Sequence, residues 1–257
     1  MRPVVVKVGG STLGSHDTAM EDVAHLQRSG VPVIVVHGGG NAATEWLKLH
    51  GVTSEFVNGL RVTGPEAIDV VTAVFAGLVN KQLVAQLLAL GARAAGVSGV
   101  DGATIATRRI DDRLGFVGQV ERVDMTLVEA LLGAGFLPVI APLGFLADAP
   151  AQVMNVNADT IAGEVAVAAG AAQLVFLTDV PGVKDEKGEW VARLSPESAA
   201  GLLAAGVAAG GMAPKLEACL RAASAGVRAC IIDGREPHAL RAAIEEAPAV
   251  RGTTIAT

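Results

Sequence analysis

Residues 4–11 read VVVKVGGS, and the interpretation of the rest of the sequence depends on this stretch. Four valines around Lys7 predict a short buried strand, which Gly9 and Gly10 end where the backbone must approach another group closely. A lysine among buried valines is costly unless an anion meets its ammonium group, but a lysine at a strand end can also extend to solvent. The choice between these two interpretations depends on whether later segments meet this strand end.

The composition favours an α/β protein that acts on small molecules. The chain has 257 residues, of which 51% are hydrophobic and 18% are charged, so we expect a well-filled core. Its net charge of -6 argues against a nucleic-acid or anionic membrane partner. Cys219 and Cys230 lack metal-ligand spacing and are expected to be buried, reduced side chains. With no signal peptide and no membrane span apparent, we expect a cytoplasmic protein.

A second strand that runs into glycines follows the first. PVIVVHGGGN at 32–41 precedes a helix predicted over residues 41–50, so two βα units bring their glycine turns to one edge of a parallel sheet. Free N–H groups beside a helix N-terminus favour an anion. Gly38, Gly40 and Ala43 also match the dinucleotide fingerprint G-x-G-x-x-A. The match lies on the second strand rather than the first, so it is weak support for a nicotinamide-dependent oxidoreductase.

The segment VTSEFVNGLRVT at 52–63 has an Asn-Gly turn and predicts a β-hairpin. Arg61 follows this turn, where its guanidinium group could bind a carboxylate with two hydrogen bonds or lie in solvent. Pro65 is expected to begin a helix of about 15 residues, with a second helical stretch over 81–90. The apolar face of the first helix is either core or a subunit contact.

Three later segments supply further polar groups. MNVNADTIAGE at 154–164 places Asn155, Asn157 and Asp159 at a strand-to-helix junction, which is more than one helix cap requires. LTDVPGV at 177–183 predicts a strand that ends at a turn, and in GGMAPKLEAC Lys215 lies in the first turn of a predicted helix, where a bound polyphosphate would favour it. RGTTIAT at 251–257 predicts an edge strand, and the βα pattern restarts near residue 170.

These segments resemble the amino acid kinase family, and most closely its members that act on an acetylated glutamate. Six motifs occur in the family's order and spacing across essentially the whole chain: VVVKVGGS, VHGGGN, NGLRVT, MNVNADTIAGE, LTDVPGV and GGMAPKLEAC. The resemblance implies an α/β fold, an open three-layer αβα sandwich around a mainly parallel sheet of about eight strands. Residues 1–170 would form an N-terminal lobe for the acyl amino acid and dimerisation, and residues 171–257 a C-terminal lobe for ATP with Mg²⁺.

The activity that the resemblance implies is phosphorylation of the side-chain carboxylate of N-acetyl-L-glutamate by ATP, in arginine biosynthesis. Lys7 and Lys215 would stabilise the transferring phosphoryl group, and Asp159 would hold both ammonium groups in position. A carboxylate is already ionised at pH 7, so the nucleophile needs no general base and the five histidines need no catalytic role. The remaining difficulty is anion repulsion, which cations and aligned N–H groups relieve.

The resemblance also assigns binding residues. Gly39 and Gly40 would offer N–H groups to the substrate carboxylate and the phosphoryl oxygens, Arg61 would bind the α-carboxylate, and Asn155 would bind the backbone of the acetylamino acid. The nucleotide site would be lined by Gly9, Gly10, Asp179, Val180, Pro181, Gly182, Val183, Lys184, Val207, Ala208 and Ala209. No metal ligand is assigned to the chain.

Two alternatives share these motifs. A kinase for aminoadipate or glutamate on a small carrier protein should have a basic docking surface, which the acidic balance and the intact NGLRVT hairpin disfavour. A catalytically silent nucleotide-binding regulator would bind nucleotide without forming an acyl phosphate. The first strand begins by Val4, so an N-terminal helix of the kind that links arginine-inhibited relatives into hexamers is not expected, and we predict a homodimer insensitive to arginine.

Overall fold

A computed structural model of the chain describes residues 1–9, 18–245 and 252–256. The strands of these residues are β1 (Val4–Val8), β2 (Val33–His37), β3 (Phe56–Val57), β4 (Leu60–Arg61), β5 (Ala94–Ser98), β6 (Ile105–Arg109), β7 (Val117–Val123), β8 (Leu137–Ala141), β9 (Leu143–Leu146), β10 (Ala149–Val156), β11 (Gln173–Thr178), β12 (Val183–Lys184), β13 (Trp190–Val191), β14 (Arg193–Leu194), β15 (Arg228–Asp233) and β16 (Gly252–Ile255). The helices are α1 (Ala19–Arg28), α2 (Gly40–Leu49), α3 (Pro65–Thr72), α4 (Asn80–Ala89), α5 (Thr126–Gly133), α6 (Ala158–Ala168), α7 (Pro196–Ala204), α8 (Met212–Ser224) and α9 (Ala239–Ile244).

Eight strands form the central sheet, in the order β14-β16-β15-β11-β1-β2-β8-β5. Every neighbouring pair is parallel except β15 with β16. β1 lies between β11 and β2, with Lys7 opposite Phe176 and Val36. The mainly parallel sheet of about eight strands that the family resemblance implies is therefore confirmed. The strands β1, β2 and β11 all end at its carboxyl edge.

Both faces of this sheet are covered, because alternate side chains of each strand enter different cores. Val4 and Val6 belong to the core under α1, α2, α3, α4 and α9, whereas Val5 belongs to the core under α5, α6, α7 and α8. The same alternation separates Val35 from Val36 on β2. Helices on both sides of a buried sheet make the three-layer αβα sandwich. Cys219 and Cys230 are both free and buried.

Three smaller β units accompany the central sheet in the described residues, and one of them is the two-stranded sheet of β12 and β13. The predicted Asn-Gly hairpin is present as β3 and β4, with positive φ at Asn58 (50°) and Gly59 (78°), as a tight primed turn requires. Strands β10, β7, β6 and β9 form a small closed barrel. β10 ends at the N-terminus of α6, so the barrel connects directly to the segment that carries Asp159.

The helical region after the hairpin differs from the prediction of two helices. Residues Pro65–Ala89 form one continuous helix, in which a π-helical segment, Ala73–Val79, joins α3 to α4. Ile68, Val71, Phe75 and Val79 are buried, so most of the apolar face belongs to the core. Among the described residues, this helix is long and apolar enough to cross a membrane. Length and composition are weak evidence here, because buried core helices of soluble proteins have the same properties.

The C-terminal strand also differs from its prediction. β16 is not an edge strand, because the two-residue strand β14 pairs with its outer side through Arg193 and Leu194. This pairing could not be expected from sequence patterns, because a strand of two residues is too short to show an alternation of apolar and polar side chains.

Candidate active site

Asp159 holds two lysines that are far apart in the sequence. Lys7 Nζ lies 2.7 Å from Asp159 Oδ1, and Lys215 Nζ lies 2.9 Å from Oδ2. The opposite charges of Lys7 and Asp159 attract each other at this distance and hold Lys7 in place. Burial alone would raise the pKa of Asp159, but the two ammonium groups bring it below its ordinary value. The cluster thus has two cations for one anion, an excess of one positive charge.

The same burial acts on Lys7 in the opposite sense. Burial lowers the pKa of Lys7, and repulsion by Lys215 adds to this effect, whereas Asp159 counteracts it. The side chains of Lys7 and Asp159 are each 8% exposed and that of Lys215 is 17% exposed. A cluster that keeps some exposure and has a net positive charge is suited to an anionic ligand. Lys7 is therefore not a lysine that extends to solvent, the other interpretation of the sequence.

Three elements bring the cluster together. Lys7 lies near the end of β1, Asp159 lies in the first turn of α6, and Lys215 lies in the first turn of α8. Lys215 Nζ also donates to Gly211 O at 3.0 Å, across the N-terminus of α8, which starts at Met212. The helices α6 and α8 touch at Gly163, where a Cβ atom would lie 2.9 Å from Ala218 Cβ.

The polar run at the start of α6 divides into three separate tasks. Asn157 caps the helix, because its Oδ1 accepts from the N–H groups of Asp159 (2.8 Å) and Thr160 (3.1 Å). Asn155 is buried and its Nδ2 donates to Thr63 Oγ1 at 2.9 Å. Asp159 is therefore free of capping and points to the lysines.

The glycine turn after β2 lies beside the end of β1. Gly38 N donates to Val8 O at 2.9 Å, and Gly40 begins α2. Gly39 has φ 149°, and a Cβ atom there would lie 3.1 Å from Phe75 Cδ1. A larger residue would thus be strained and crowded, so the turn requires glycine at this position. Gly9 is buried at the end of β1, and Gly10 lies outside the described residues.

Arg61 is a buried cation without a carboxylate partner in the part of the chain that the structure describes. Its guanidinium group donates to Ser54 Oγ (2.6 Å), Thr44 Oγ1 (2.7 Å) and Gly40 O (2.8 Å), and it lies 4.6 Å from the centre of the Phe56 ring. Burial lowers the pKa of Arg61, but arginine stays protonated in proteins. A positioned charge that only neutral groups surround is suited to an external anion.

A model of the amino acid kinase family matches residues 2–233 of this sequence. The chain belongs to the amino acid kinase family. It is 46% identical over 256 residues to the acetylglutamate kinase of Dehalococcoides mccartyi strain CBDB1, an alignment that covers 98% of this chain and 93% of that protein. It is 41% identical to the acetylglutamate kinase of Novosphingobium aromaticivorans, with 92% of this chain and 84% of that protein covered.

Solved structures agree with this membership at the level of the fold. The smu.665 protein of Streptococcus mutans UA159 has a TM-score of 0.86 and 27% identity, over 99% of this chain and 98% of that chain. The carbamate kinase of Giardia lamblia has a TM-score of 0.66 at 13% identity, over 99% of this chain and 98% of that chain, which supports the fold alone.

In this amino acid kinase, the glycine turn and Arg61 face a common cavity of about 140 Å³. Its lining includes Gly38, Gly39, Gly40, Phe56, Arg61, Phe75, Val117, Asn155, Asn157 and Ala158. A wider cleft of about 680 Å³ lies between the hairpin turn, the barrel and the N-terminal ends of α6 and α8, with Gly59, Gln119, Thr160 and Pro214 among its lining residues. Asn157 and Gly59 line both spaces, so the small cavity adjoins the larger cleft.

The segments assigned to the nucleotide lie at the carboxyl edge of the kinase's sheet. Residues 179–184 follow β11, which is parallel to β1, so both strands end at the same edge. Gly182 packs tightly on β16, because a Cβ atom there would lie 2.5 Å from Thr253 Oγ1. Lys184 Nζ lies 4.6 Å from the centre of the Trp190 ring. Residues 207–209 lie between α7 and α8, shortly before Lys215, and Ala208 is buried.

Some residues of the site were not predicted from the sequence. Ser54 and Thr44 hold Arg61, and Thr63 binds Asn155. Thr63 ends the NGLRVT motif but was assigned no role, whereas Thr44 and Ser54 lie outside the six motifs. His37 was considered unnecessary because the nucleophile needs no base, yet it is completely buried directly before the glycine turn. Its position within VHGGGN was the available signal.

Proposed function

We propose that this amino acid kinase transfers the γ-phosphoryl group of ATP to the side-chain carboxylate of N-acetyl-L-glutamate. The products are N-acetyl-L-glutamyl 5-phosphate and ADP, and the reaction belongs to arginine biosynthesis. The observation that carries the proposal is the contact of Lys7 and Lys215 with one buried aspartate, at the edge where the glycine turn ends. The two relatives named acetylglutamate kinase, at 46% and 41% identity, support the substrate.

The cluster is suited to in-line phosphoryl transfer. One oxygen of the substrate carboxylate forms a bond to the γ-phosphorus. At the same time the bond between that phosphorus and the β,γ-bridging oxygen breaks, and the bridging oxygen leaves with the electron pair as part of ADP. Lys7 and Lys215 would offset the negative charge of the carboxylate and the phosphoryl oxygens, and Asp159 would fix both ammonium groups between turnovers. Because the carboxylate is ionised at pH 7, no proton has to be removed from it.

The small cavity fits the acceptor substrate. Arg61 would bind the α-carboxylate, which would supply the anionic partner that this guanidinium group lacks among the described residues. Asn155 would bind the acetylamino acid backbone, and the N–H groups of Gly39 and Gly40 would meet the side-chain carboxylate and the phosphoryl oxygens. The lining by Phe56, Phe75 and Val117 suits the methylene groups.

Membership of a kinase family implies the use of ATP. We assign its site to Gly9, Gly10, residues 179–184 and residues 207–209. Of the described residues among these, Gly9 and residues 179–184 follow β1 and β11 at the carboxyl edge of the sheet, and residues 207–209 precede α8. The lysine cluster and the N-terminus of α8 fit a polyphosphate. Mg²⁺ would be held through the nucleotide phosphates and water, because the described residues contain no group of three or more His, Cys, Asp or Glu side chains placed for a metal.

The two lobes and the subunit contact complete the proposal. Residues 1–170 would bind the acyl amino acid and residues 171–257 the nucleotide, so that the contact of Lys215 with Asp159 joins the two lobes. We propose a cytoplasmic location and a homodimer. The surface proposed for the subunit contact includes β5, the outer strand on one side of the sheet, and the adjacent helix α4, which exposes Leu88. Light scattering at micromolar concentration should give twice the chain mass, and a monomer would contradict this part.

Acyl phosphate trapping tests the reaction directly. Purified protein with ATP and Mg²⁺ should form a hydroxamate when hydroxylamine is added with N-acetylglutamate, and should form far less with N-acetylaminoadipate. A carrier-linked aminoadipate or glutamate as the preferred acceptor would replace the proposed substrate. Nucleotide binding without hydroxamate from any of these acceptors would instead identify a catalytically silent regulator.

A further inference from the structure

A line of polar side chains, two of them buried, leads from the surface of α4 to the glycine turn. It consists of Lys81, Asn80 and His37, and it ends at the carbonyl of Gly38. Asn80 and His37 are both completely buried, whereas Lys81 is exposed. Buried polar side chains without a task are costly, and the phosphoryl transfer as described above uses none of these three.

The orientation of the Asn80 amide follows from its neighbours. Lys81 Nζ lies 2.9 Å from Asn80 Oδ1 and can only donate, whereas the Val139 carbonyl lies 2.9 Å from Nδ2 and can only accept. The oxygen of the amide must therefore face Lys81 and its NH₂ group must face inward. Gly96 leaves the room for this arrangement, because a Cβ atom there would lie 1.9 Å from Asn80 Oδ1.

This orientation determines which nitrogen of His37 carries the proton. The second N–H of Asn80 has two acceptors in reach, and His37 Nε2, at 3.2 Å, is nearer than the Val97 carbonyl oxygen, at 3.4 Å. Because the NH₂ group can only donate, Nε2 accepts in this contact. Nδ1 then carries the hydrogen and donates to Gly38 O at 2.6 Å. Burial lowers the pKa of His37 to about 4. The hydrogen bond to Gly38 raises this pKa, whereas the charges of Lys7 and Lys81 lower it further. The ring is therefore neutral at physiological pH.

The Gly38 carbonyl matters because it shares a planar peptide group with the N–H of Gly39. In a trans peptide the C=O and N–H bonds point in opposite directions. A donor that holds the direction of the carbonyl therefore also holds the direction of the N–H, which points away from that donor. The helix from α3 to α4 acts at the same place, because Phe75 and Val79 pack on Gly39 just before Asn80. Gly38, Gly39 and Gly40 line the proposed acceptor cavity.

We propose that His37 is a positioning residue, which Lys81 and Asn80 hold as the Nδ1–H tautomer so that it aims the N–H of Gly39 into the acceptor cavity. The inference rests on the proposed role of the glycine turn in phosphoryl transfer. It adds a task for a histidine that takes no proton from the substrate. It also explains why Asn80, 43 residues after His37, and the lysine next to it contribute to the geometry of the turn.

Two substitutions separate positioning from packing. The amide of His37→Asn can occupy the place of Nδ1 and still donate to Gly38 O, whereas that of His37→Gln reaches the place of Nε2 and contacts Asn80 instead. We expect His37→Gln to have a kcat at least about tenfold below that of His37→Asn, with similar KM values for ATP, because a displaced N–H group weakens transition-state binding. Equal kcat values in two folded variants of equal melting temperature would overturn the proposal.

The tautomer provides a test that does not depend on activity or on the variants. In ¹⁵N-labelled wild-type protein at pH 7, the His37 ring should show a protonated Nδ1 and an unprotonated Nε2. The opposite tautomer, or an imidazolium, would refute the proposal even if the kinase is fully active. If the wild-type protein shows the expected tautomer but phosphorylates none of the acceptors, the proposed function fails while the hydrogen-bond assignment stands.

Discussion

The lysine cluster and Arg61 both place buried positive charge beside the glycine turn, but they neutralise it differently. Lys7 and Lys215 share an internal anion, Asp159, at 2.7 and 2.9 Å. Arg61 is surrounded by hydroxyl and carbonyl oxygens and has no carboxylate partner among the described residues. An internal counter-ion keeps a cation in place when the ligand is absent, whereas a cation without one gains most when the ligand arrives. The first arrangement suits catalysis and the second suits binding.

Removing either lysine should have the largest effect on turnover. Lys7→Ala and Lys215→Ala are each expected to lower kcat by about 10²- to 10³-fold, the range for loss of one group that stabilises transition-state charge. Near-normal turnover in either purified variant would refute its assigned role. Lys48→Ala, which removes an exposed lysine of α2, serves as the matched control and should leave kcat nearly unchanged.

Asp159→Asn tests whether the internal anion holds the cluster. Without the carboxylate, two ammonium groups repel each other in a buried site, so we expect a kcat loss of about 10²-fold and a stability loss of about 3 kcal/mol. Steady-state kinetics and urea unfolding measure the two effects. Asn157→Ala is the control for helix capping and should cost only about 1 kcal/mol. If Asp159→Asn loses no more than this and keeps its turnover, the aspartate has no positioning role.

Arg61→Lys should affect binding rather than chemistry. The ammonium group keeps the charge but loses the planar pair of donors, so we expect the KM for N-acetylglutamate to rise by about tenfold or more, while the KM for ATP stays the same. Varying each substrate in turn distinguishes these constants. A fall in kcat with an unchanged acceptor KM would place Arg61 with the lysines and remove the distinction between the two regions.

The smallest effect concerns His37, which is buried between the Gly38 carbonyl and the Asn80 amide. Its pKa is about 4 in the folded chain and 6.5 in the unfolded chain, so below pH 6.5 the unfolded state takes up a proton first. Stability is therefore fully present above pH 6.5 and should fall by about 2 kcal/mol by pH 5 from this group. His37→Asn should lack this part of the loss in urea unfolding at pH 7.5 and 5. Identical pH dependence in both proteins would contradict the burial of a neutral ring.

Local sequence signals predicted most of the fold. Valine-rich strands, the Asn-Gly turn and glycines after strands were sufficient to place β1, β2, the hairpin and the junction before α6. They failed where the deciding interaction is remote. The helix from Pro65 to Ala89 continues through a π-helical segment because its apolar face packs on the core, and β16 acquires an outer partner in a two-residue strand.

The candidate site was predictable to the extent that its charges are unusual. Lys7 is unusual among valines, and Asp159 is unusual because Asn157 already caps the same helix. The structure brings both side chains to Lys215. The groups that hold Arg61 and the turn did not stand out, because Ser54, Thr44 and Asn80 are ordinary residues until the fold places them next to their partners. Gly10 lies outside the described residues, so its assigned contact with the nucleotide stays a prediction.

The close contact of Gly163 with Ala218 has a consequence for how much this sequence can vary. The helices that deliver Asp159 and Lys215 meet there with no space for a single methyl group. An alanine at position 163 would act as a wedge between them and would pull the second lysine away from its anion, although no reacting group had been altered. Fine adjustment of the ammonium spacing thus depends on a hydrogen atom at position 163, one helical turn beyond the carboxylate that it serves.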